Sequence, residues 1–235
     1  MMQKPPASGY GDPEQYEYVD TTLIPFAMFT AKDTVLPIRV RIIGDVADHD
    51  RYFTIRVVDT LTTAKVGEDY EPFENSQVVE AGERQTEIPC RIVWTEKLMQ
   101  NPDTVIYLTV RLEESADFKL PLKRWFPFGS IYGSKDKVVN PIVHVIGIND
   151  QVVVPKQWTV NYWGAFSPTK FKLVCEVLGL SMQDFEDNKV MTSNRAKALA
   201  QNFDRYLKEE KAAGRTVMDK DAAGNEFEMT MGPLI

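Results

Sequence analysis

The sequence predicts a mainly β protein, α+β overall, in which an antiparallel β-sandwich precedes a smaller helical α+β domain. Between Leu23 and Leu112 the chain is a succession of short runs in which apolar and polar residues alternate, as is typical of strands. Beyond Val154 the apolar spacing changes to the three- and four-residue intervals of amphipathic helices. The length of 235 residues exceeds that of a single module of about 100 residues, so we expect two domains.

The predicted domain borders follow these changes of pattern. Residues 1–20 are expected to form a polar tether, because they are rich in Pro, Gly and polar side chains and carry no periodic apolar pattern. Residues 21–150 are predicted to form the sandwich. Residues 151–235 are predicted to form the C-terminal domain, with two helices.

Five runs are predicted as strands of the sandwich: LIPFAMFT, TVLPIRVRII, RYFTIRVVDT, TEIPCRIVW and TVIYLTVRL. In the second run apolar residues share one face and arginines the other: Leu36, Ile38, Val40 and Ile42 against Arg39 and Arg41. Three prolines within the runs favour edges, bulges or strand starts, because proline cannot donate to the ladder: Pro25, Pro37 and Pro89. A further strand is predicted in VVNPIVHVIGIN. No helical period separates the runs, which favours a sandwich over a parallel α/β sheet.

An aromatic group stands between the last two predicted strands, within residues 119–137, which also hold Pro, Gly and five basic side chains. Its members are Trp125, Phe126, Phe128 and Tyr132. Exposed aromatic rings stack on sugars or anchor protein interfaces, so these residues are candidates for a ligand or interface site. The alternative is that they fill the boundary between the two domains.

Two helices are predicted in the C-terminal domain. The first has Ser167 as its N-cap and Pro168 in its first turn and ends at Gly179, and the second begins near Ser193 and ends at Gly214. A short hairpin with its turn at residues 222–225 is predicted to follow. Four aromatics before the first helix are expected to cover the core of this domain, with a ligand surface as the alternative: Trp158, Tyr162, Trp163 and Phe166.

Charge and hydropathy exclude two kinds of interaction. Residues 1–150 carry 16 basic and 23 acidic side chains, net −7, while residues 151–235 carry 11 of each. Neither part has the basic excess that nucleic-acid binding requires. The sequence also lacks a run of about 18 apolar residues, so no transmembrane span is expected.

The residues of reactive chemistry are few. Cys90 and Cys175 each lie in an apolar pattern and are predicted to be unpaired core thiols rather than a disulfide. With only His49 and His144, and no CxxC or HExxH, a transition-metal site is not expected. A serine or cysteine nucleophile needs a base, and neither histidine stands in a recognisable arrangement, so we predict no catalytic residues and no cofactor. Paired carboxylates of an uncharacterised hydrolase remain an alternative.

One stretch resembles a known signature. Gly67, Asp69 and Tyr70 follow Thr62-Thr63-Ala64 and precede Ala81-Gly82-Glu83, which resembles the pattern of Calx-β domains, immunoglobulin-like sandwiches. With 48–53, 166–171 and 176–179, the order of segments over most of 21–235 resembles a Bacteroidetes lipoprotein family, domain of unknown function 4843. The resemblance implies an Ig-like, Calx-β-type sandwich.

The resemblance implies a location more than a chemistry. Members of that family are similar to outer-membrane or periplasmic lipoproteins with a lipidated N-terminal cysteine, encoded near outer-membrane nutrient-import proteins. The sequence shown has no such cysteine and no signal-peptide pattern, so we expect the leader and its lipid anchor to lie outside it. The implied function is non-catalytic binding or scaffolding at the cell surface or in the periplasm, with outer-membrane import proteins or an extracellular glycan as partner. The alternatives are a glycan-binding protein that uses the exposed aromatics, and the hydrolase.

Calx-β domains can bind calcium through clustered carboxylates, because Ca²⁺ takes six to eight oxygen ligands. The candidate ligands in this chain are Asp45, Asp48, Asp50 and Asp69. The acidic stretch that supplies further ligands in those domains has no counterpart in residues 94–101, where basic and apolar residues intervene. The alternative is that these are solvated loop carboxylates, with Asp69 capping its own turn.

Overall fold

The computed structural model describes residues 20–101, 104–125, 138–220 and 225–235. They form two compact units: the first from residues 20–26 and 31–151, the second from 27–30 and 152–235. The segment 27–30, which the sequence pattern assigned to the first domain, therefore belongs to the second unit. Residues 1–19 of the predicted tether lie outside the described residues.

The first unit contains seven of the described strands and one short helix. The strands are β1 (Thr21–Pro25), β2 (Asp33–Arg41), β3 (Arg51–Val57), β4 (Ser76–Val79), β5 (Gln85–Val93), β6 (Ile106–Glu113) and β7 (Val143–Asn149), and the helix is α1 (Glu96–Gln100). Five strands form one sheet in the order β1-β7-β6-β3-β4, and β2 pairs with β5 in a second sheet.

Both sheets bury apolar side chains, in an alternating pattern in β3 and β5 and with consecutive buried residues in β6 and β7. In the second sheet the buried side chains include Ile38, Val40, Ile88 and Cys90, and in the first they include Phe53, Ile55, Leu108, Val110 and Ile146. Two sheets with one apolar face each give a sandwich-like unit. Together with the helical second unit, this confirms the predicted fold class.

Two strand predictions need correction. β1 runs parallel to β7, with Thr21 opposite Val145, whereas the alternation predicted antiparallel strands throughout. Alternation fixes which face is buried but not the direction of a neighbour that lies more than a hundred residues away. The run LIPFAMFT also ends as a strand at Pro25 and continues as a 3-10 turn over Phe26–Met28.

The prolines lie where the ladder tolerates them. Pro37 is directly opposite Pro89 in the pair of β2 and β5. Because that sheet has only two strands, each of these strands has an outer edge.

The second unit contains three helices and a hairpin: α2 (Val160–Trp163), α3 (Pro168–Leu178), α4 (Ser193–Ala212), β8 (Met218–Lys220) and β9 (Glu226–Glu228). The Ser167 hydroxyl accepts the Lys170 N–H and caps α3, which ends at Gly179 in the left-handed conformation, φ 63°. Thr192 caps α4 in the same way. The local signals for both helices are therefore confirmed, while residues 221–224 of the predicted hairpin turn lie outside the described residues.

The core of the second unit is aromatic. Trp158 lies 5.6 Å from Trp163 in a stacked pair, and its Nε1 donates to the Gly164 carbonyl at 3.0 Å. Phe171 and Phe185 are fully buried beside them, with ring centres 5.1 Å apart. The prediction that Trp158 and its neighbours cover this core is confirmed.

Both cysteines are unpaired and buried, as predicted. Burial raises the pKa of the Cys90 thiol to about 12, and burial has the same effect on Cys175. The two thiols are therefore neutral and shielded in the folded chain at neutral pH.

Candidate functional site

A cavity of about 510 Å³ opens at one end of the first unit. It lies where β2 and β6 end and β3 begins, and the loops 117–122 and 141–142 complete its wall. We call it the end cavity. Its apolar lining includes Val40, Ile42, Phe53, Val79, Leu112 and Phe118. Four of these side chains, Val40, Phe53, Val79 and Leu112, are also buried, so the core of the sandwich forms part of the wall.

The loop beyond β6 is held in place by a small network of hydrogen bonds. The Ser115 hydroxyl donates to the Tyr52 carbonyl at 2.7 Å and accepts the N–H groups of Asp117 and Phe118. The Asp117 carboxylate in turn accepts the Tyr52 N–H at 2.7 Å. These contacts hold Phe118 over the start of β3, where its ring meets Phe53 edge to face, with centres 6.3 Å apart.

Arg51 is a charged residue of this wall whose guanidinium is partly buried against an aromatic ring. Its guanidinium carbon lies 4.9 Å from the centre of the Phe118 ring, within the range of a cation–π contact. Its Nη2 atom is buried and has no hydrogen-bond partner among the described residues. A guanidinium has five donors and no acceptor, so this nitrogen has an unused donor in the structure as it stands.

The two carboxylates of the wall are already engaged. Glu113 accepts a hydrogen bond from Arg56 Nε at 2.7 Å, and Asp117 accepts the Tyr52 N–H described above. The cations of the wall are Arg41, Arg51 and Lys119, so the wall carries three positive and two negative side chains. The end cavity is thus apolar inside, with a small positive excess among the charged side chains of its wall.

The structure does not bring the four calcium candidates together. Asp69 is fully buried, and its carboxylate accepts the Lys65 N–H at 2.8 Å and the Lys97 ammonium at 2.7 Å. Asp50 accepts the Ala81 N–H, Asp48 contacts the exposed His49 ring, and Asp45 is exposed. Within the part of the chain that the structure describes, no three His, Cys, Asp or Glu side chains are grouped as a metal would require.

The role of Asp69 is instead to cap its own turn. The N–H of Lys65 and the ammonium of Lys97 both donate to Oδ2 of Asp69, and a cation bound to this carboxylate would face the Lys97 charge. Asp48, by contrast, is fully exposed. The pKa of its carboxyl is lowered, mainly because it accepts a hydrogen bond from His49.

Of the aromatic candidates, the structure describes Trp125. It is half-buried, and its backbone forms two hydrogen bonds of 2.9 Å with Val139. Its indole Nε1 is buried without a hydrogen-bond partner within residues 20–101, 104–125, 138–220 and 225–235. Phe126, Phe128 and Tyr132 lie outside the described residues, so the glycan hypothesis for this group stays a prediction.

A buried polar cluster in the second unit was not predicted. The Ser167 hydroxyl donates to Asp219 at 2.6 Å, and the buried Lys170 ammonium donates to the carbonyls of Trp163 and Ala165 at 3.3 and 3.0 Å. Burial lowers the pKa of Lys170, and the nearby Asp219 opposes that effect. The hydroxyl also serves as the cap of α3, so the cluster links β8 to the start of that helix and has a structural role. The sequence signal was the Ser-Pro-Thr-Lys stretch, which identified the cap but not the distant Asp219.

Comparison with known proteins gives a family and a distant fold likeness. A model of the family described as "Domain of unknown function (DUF4843)" matches residues 7–180. Two crystal structures are similar over 55% of this chain at 13% identity and a TM-score of 0.36: calcium binding domain CBD12 of CALX1.1, and CBD12 from CALX1.2. The match spans 40% of each of those chains. No curated protein matches the chain.

None of the helices in the described ranges combines the length and the apolar character needed to cross a membrane.

Proposed function

Because the chain belongs to the family described as "Domain of unknown function (DUF4843)", we propose that it is a non-catalytic binding or scaffolding accessory of an outer-membrane nutrient-uptake system. The match over residues 7–180 confirms the resemblance drawn from the order of sequence segments. The proposed place of action is the cell surface or the periplasm, where a lipid anchor holds the protein. The resemblance of the segment order to that family, whose members are similar to lipoproteins, supports this proposed placement.

The end cavity is the observation that carries the binding role. Small-molecule sites are concave, mostly apolar and about 300–1,000 Å³ in volume, with a few polar groups that orient the ligand. The cavity of about 510 Å³ has this character, and Arg51 supplies a polar group in its wall. A rigid sandwich end with loops fixed by hydrogen bonds is a suitable frame for such a site.

The wall favours binding over hydrolysis. A hydrolase that uses two carboxylates needs one of them to donate a proton and the other to act as base or nucleophile. Here Glu113 is held by Arg56 and Asp117 by the Tyr52 N–H, both at 2.7 Å. These contacts fix the carboxylates in structural roles, which supports the non-catalytic proposal.

A neutral apolar fluorophore tests the binding role. N-phenyl-1-naphthylamine should bind the purified chain with increased fluorescence, and Ile42→Trp should abolish this signal by filling the cavity. Val35→Trp is the matched control, because Val35 lies exposed on β2, the strand that precedes Ile42, and is not part of the wall. Equal fluorescence from both variants would place the fluorophore elsewhere and remove the end cavity from the proposal.

The location is tested on the natural gene product in its own cells. We expect metabolic labelling with an alkyne analogue of palmitate, and recovery of the protein in the envelope fraction together with outer-membrane import proteins. Recovery in the cytosolic fraction without label would refute the proposed anchoring.

A further inference from the structure

We propose that the end cavity binds an anionic amphiphile, with its apolar body inside the cavity and its single anionic group beside Arg51. This inference rests on the binding role proposed above and deepens it, because it names the chemical class of the ligand. Three features of the cavity carry it: its lining, its unused donor and its charge balance.

The lining selects the apolar body. Val40, Phe53, Val79 and Leu112 are buried side chains of the core that also form part of the cavity wall. Water in contact with such a wall is released when an apolar chain or ring takes its place, which is favourable in proportion to the area covered. A sugar would lose hydrogen bonds to water on this wall and find few to replace them, so a glycan is a poor occupant.

Arg51 selects the anionic group. The Phe118 ring lies 4.9 Å from its guanidinium carbon, and Nη2 is buried with no acceptor in the part of the chain that the structure describes. A buried donor on a charged group is unfavourable when it has no partner, and a carboxylate or phosphate beside it would supply that partner.

The other charges of the wall do not cancel this preference. Asp117 is bound to the Tyr52 N–H and Glu113 to Arg56, so the carboxylates have partners other than Arg51. Lys119 adds a second cation at the wall, although its ammonium also lies 3.8 Å from Glu114. The ammonium head of a cationic amphiphile would be repelled by this positive excess and could not accept a hydrogen bond from Nη2 of Arg51. Such an amphiphile should therefore bind least well.

The test is displacement of N-phenyl-1-naphthylamine from the full chain by four amphiphiles of equal chain length. They are dodecanoate, dodecyl phosphate, dodecanol and dodecyltrimethylammonium, each used below its micelle concentration. We expect both anions to displace the fluorophore at concentrations about tenfold or more below dodecanol, since a charge-assisted hydrogen bond is the stronger kind. The ammonium compound should be the weakest competitor.

Variants of Arg51 separate its charge from its bulk. Arg51→Met keeps the apolar stem and removes the charge, so the anions should fall to within about twofold of dodecanol while dodecanol itself is unchanged. Arg51→Lys keeps a cation and should retain a preference for the anions. Arg91→Met is the control, because Arg91 is an exposed arginine on β5, paired with Asp33 and Glu71 and outside the cavity wall. Circular dichroism of each variant confirms that it is folded.

The outcomes distinguish the two proposals. Equal displacement by dodecanol and dodecanoate, or an anion preference that survives in Arg51→Met, would overturn the inference about the ligand while leaving the cavity as a binding site. Stronger competition by the ammonium compound would overturn it as well. If the fluorophore does not bind the wild-type chain, and direct titration of dodecanoate also gives no heat, both the binding role and the inference fail.

Discussion

The substitution Asp69→Ala is expected to destabilise the first unit strongly and the second unit not at all. Asp69 is fully buried, and its carboxylate accepts the Lys65 N–H at 2.8 Å and the Lys97 ammonium at 2.7 Å. It also stands 3.4 Å from the Thr95 hydroxyl. These three contacts tie the turn after residue 62 to the start of α1, and alanine removes all of them.

The magnitude follows from these contacts. Removing one partner of a buried ion pair costs about 3–5 kcal/mol, and leaving a buried N–H without an acceptor costs about 1–3 kcal/mol. Lys97 is 37% exposed at its side chain, so water can solvate its ammonium once Asp69 is gone. We therefore expect a loss of about 3–4 kcal/mol in the free energy of unfolding, below the combined range of about 4–8 kcal/mol, because the ion pair is only partly buried. Asp69→Asn keeps an acceptor oxygen and should cost about half as much.

The two cysteines provide a separate readout for each unit. Cys90 lies in β5 of the first unit and Cys175 in α3 of the second, and both thiols are buried in the folded chain. Pulsed alkylation in increasing urea, followed by mass spectrometry of the two peptides, reports the unfolding of each unit. With a urea slope of about 2 kcal/mol per M, the midpoint for Cys90 should fall by about 1.5–2 M.

Three results would refute this reasoning. The first is a midpoint shift at Cys90 that corresponds to less than about 1 kcal/mol, and the second is an equal shift at Cys175. The third is the same shift at Cys90 in the control Asp45→Ala, because replacing an exposed carboxylate usually changes stability by no more than about 0.5 kcal/mol. Added Ca²⁺ should also leave the Cys90 midpoint of the wild-type chain unchanged, because the Lys97 ammonium is bound to Oδ2 of Asp69 and would repel the cation. A calcium-dependent rise would show that the carboxylates bind a cation after all.

Other predictions concern the second unit and the thiols. Gly232→Ala should destabilise the second unit by about 1–3 kcal/mol, because a Cβ there would lie 2.4 Å from the Val160 carbonyl oxygen; an unchanged Cys175 midpoint would contradict this. Burial lowers the pKa of Lys170 in the folded chain, so between that lowered pKa and the ordinary value of 10.5 the unfolded state binds more protons than the folded state. The cost of burying the charged ammonium is present at neutral pH and is relieved as the pH rises through this window. The unfolding free energy of the wild type should accordingly rise relative to Lys170→Met over that window, and a constant difference would count against the assignment. Without urea, neither thiol should react with iodoacetamide at pH 8, since burial raises the pKa of Cys90 and of Cys175 to about 12; rapid labelling of either would show that it is accessible.

The features that the sequence predicts well are those specified by neighbouring residues. The cap at Ser167, the stop at Gly179 and the helical spacing between them lie within one stretch of thirteen residues, and α3 has the predicted bounds. Alternation in β2 likewise identifies the buried face, because side-chain direction in a strand is a local property. The likeness of the segment order to a family adds the sandwich fold, which no single strand could give.

The features that it predicts poorly depend on contacts between distant residues. The parallel pairing of Thr21 with Val145 spans most of the first unit and leaves no local mark on either strand. The end cavity exists because Ser115 and Asp117 bind the backbone of Tyr52, more than sixty residues earlier. In the same way, only folding brings the Lys97 ammonium within hydrogen-bond distance of the Asp69 carboxylate. This contact gives a structural role to a carboxylate that the sequence offered as a calcium candidate.

Photo-crosslinking shows directly whether the end cavity is the binding site. A dodecanoate analogue with a diazirine on its chain is irradiated with the full chain, and the labelled peptides are mapped by mass spectrometry. The account predicts adducts within residues 40–43, 51–53 and 117–122, all competed by excess dodecanoate and abolished in Ile42→Trp. Adducts confined to the second unit, or unchanged in that variant, would contradict it.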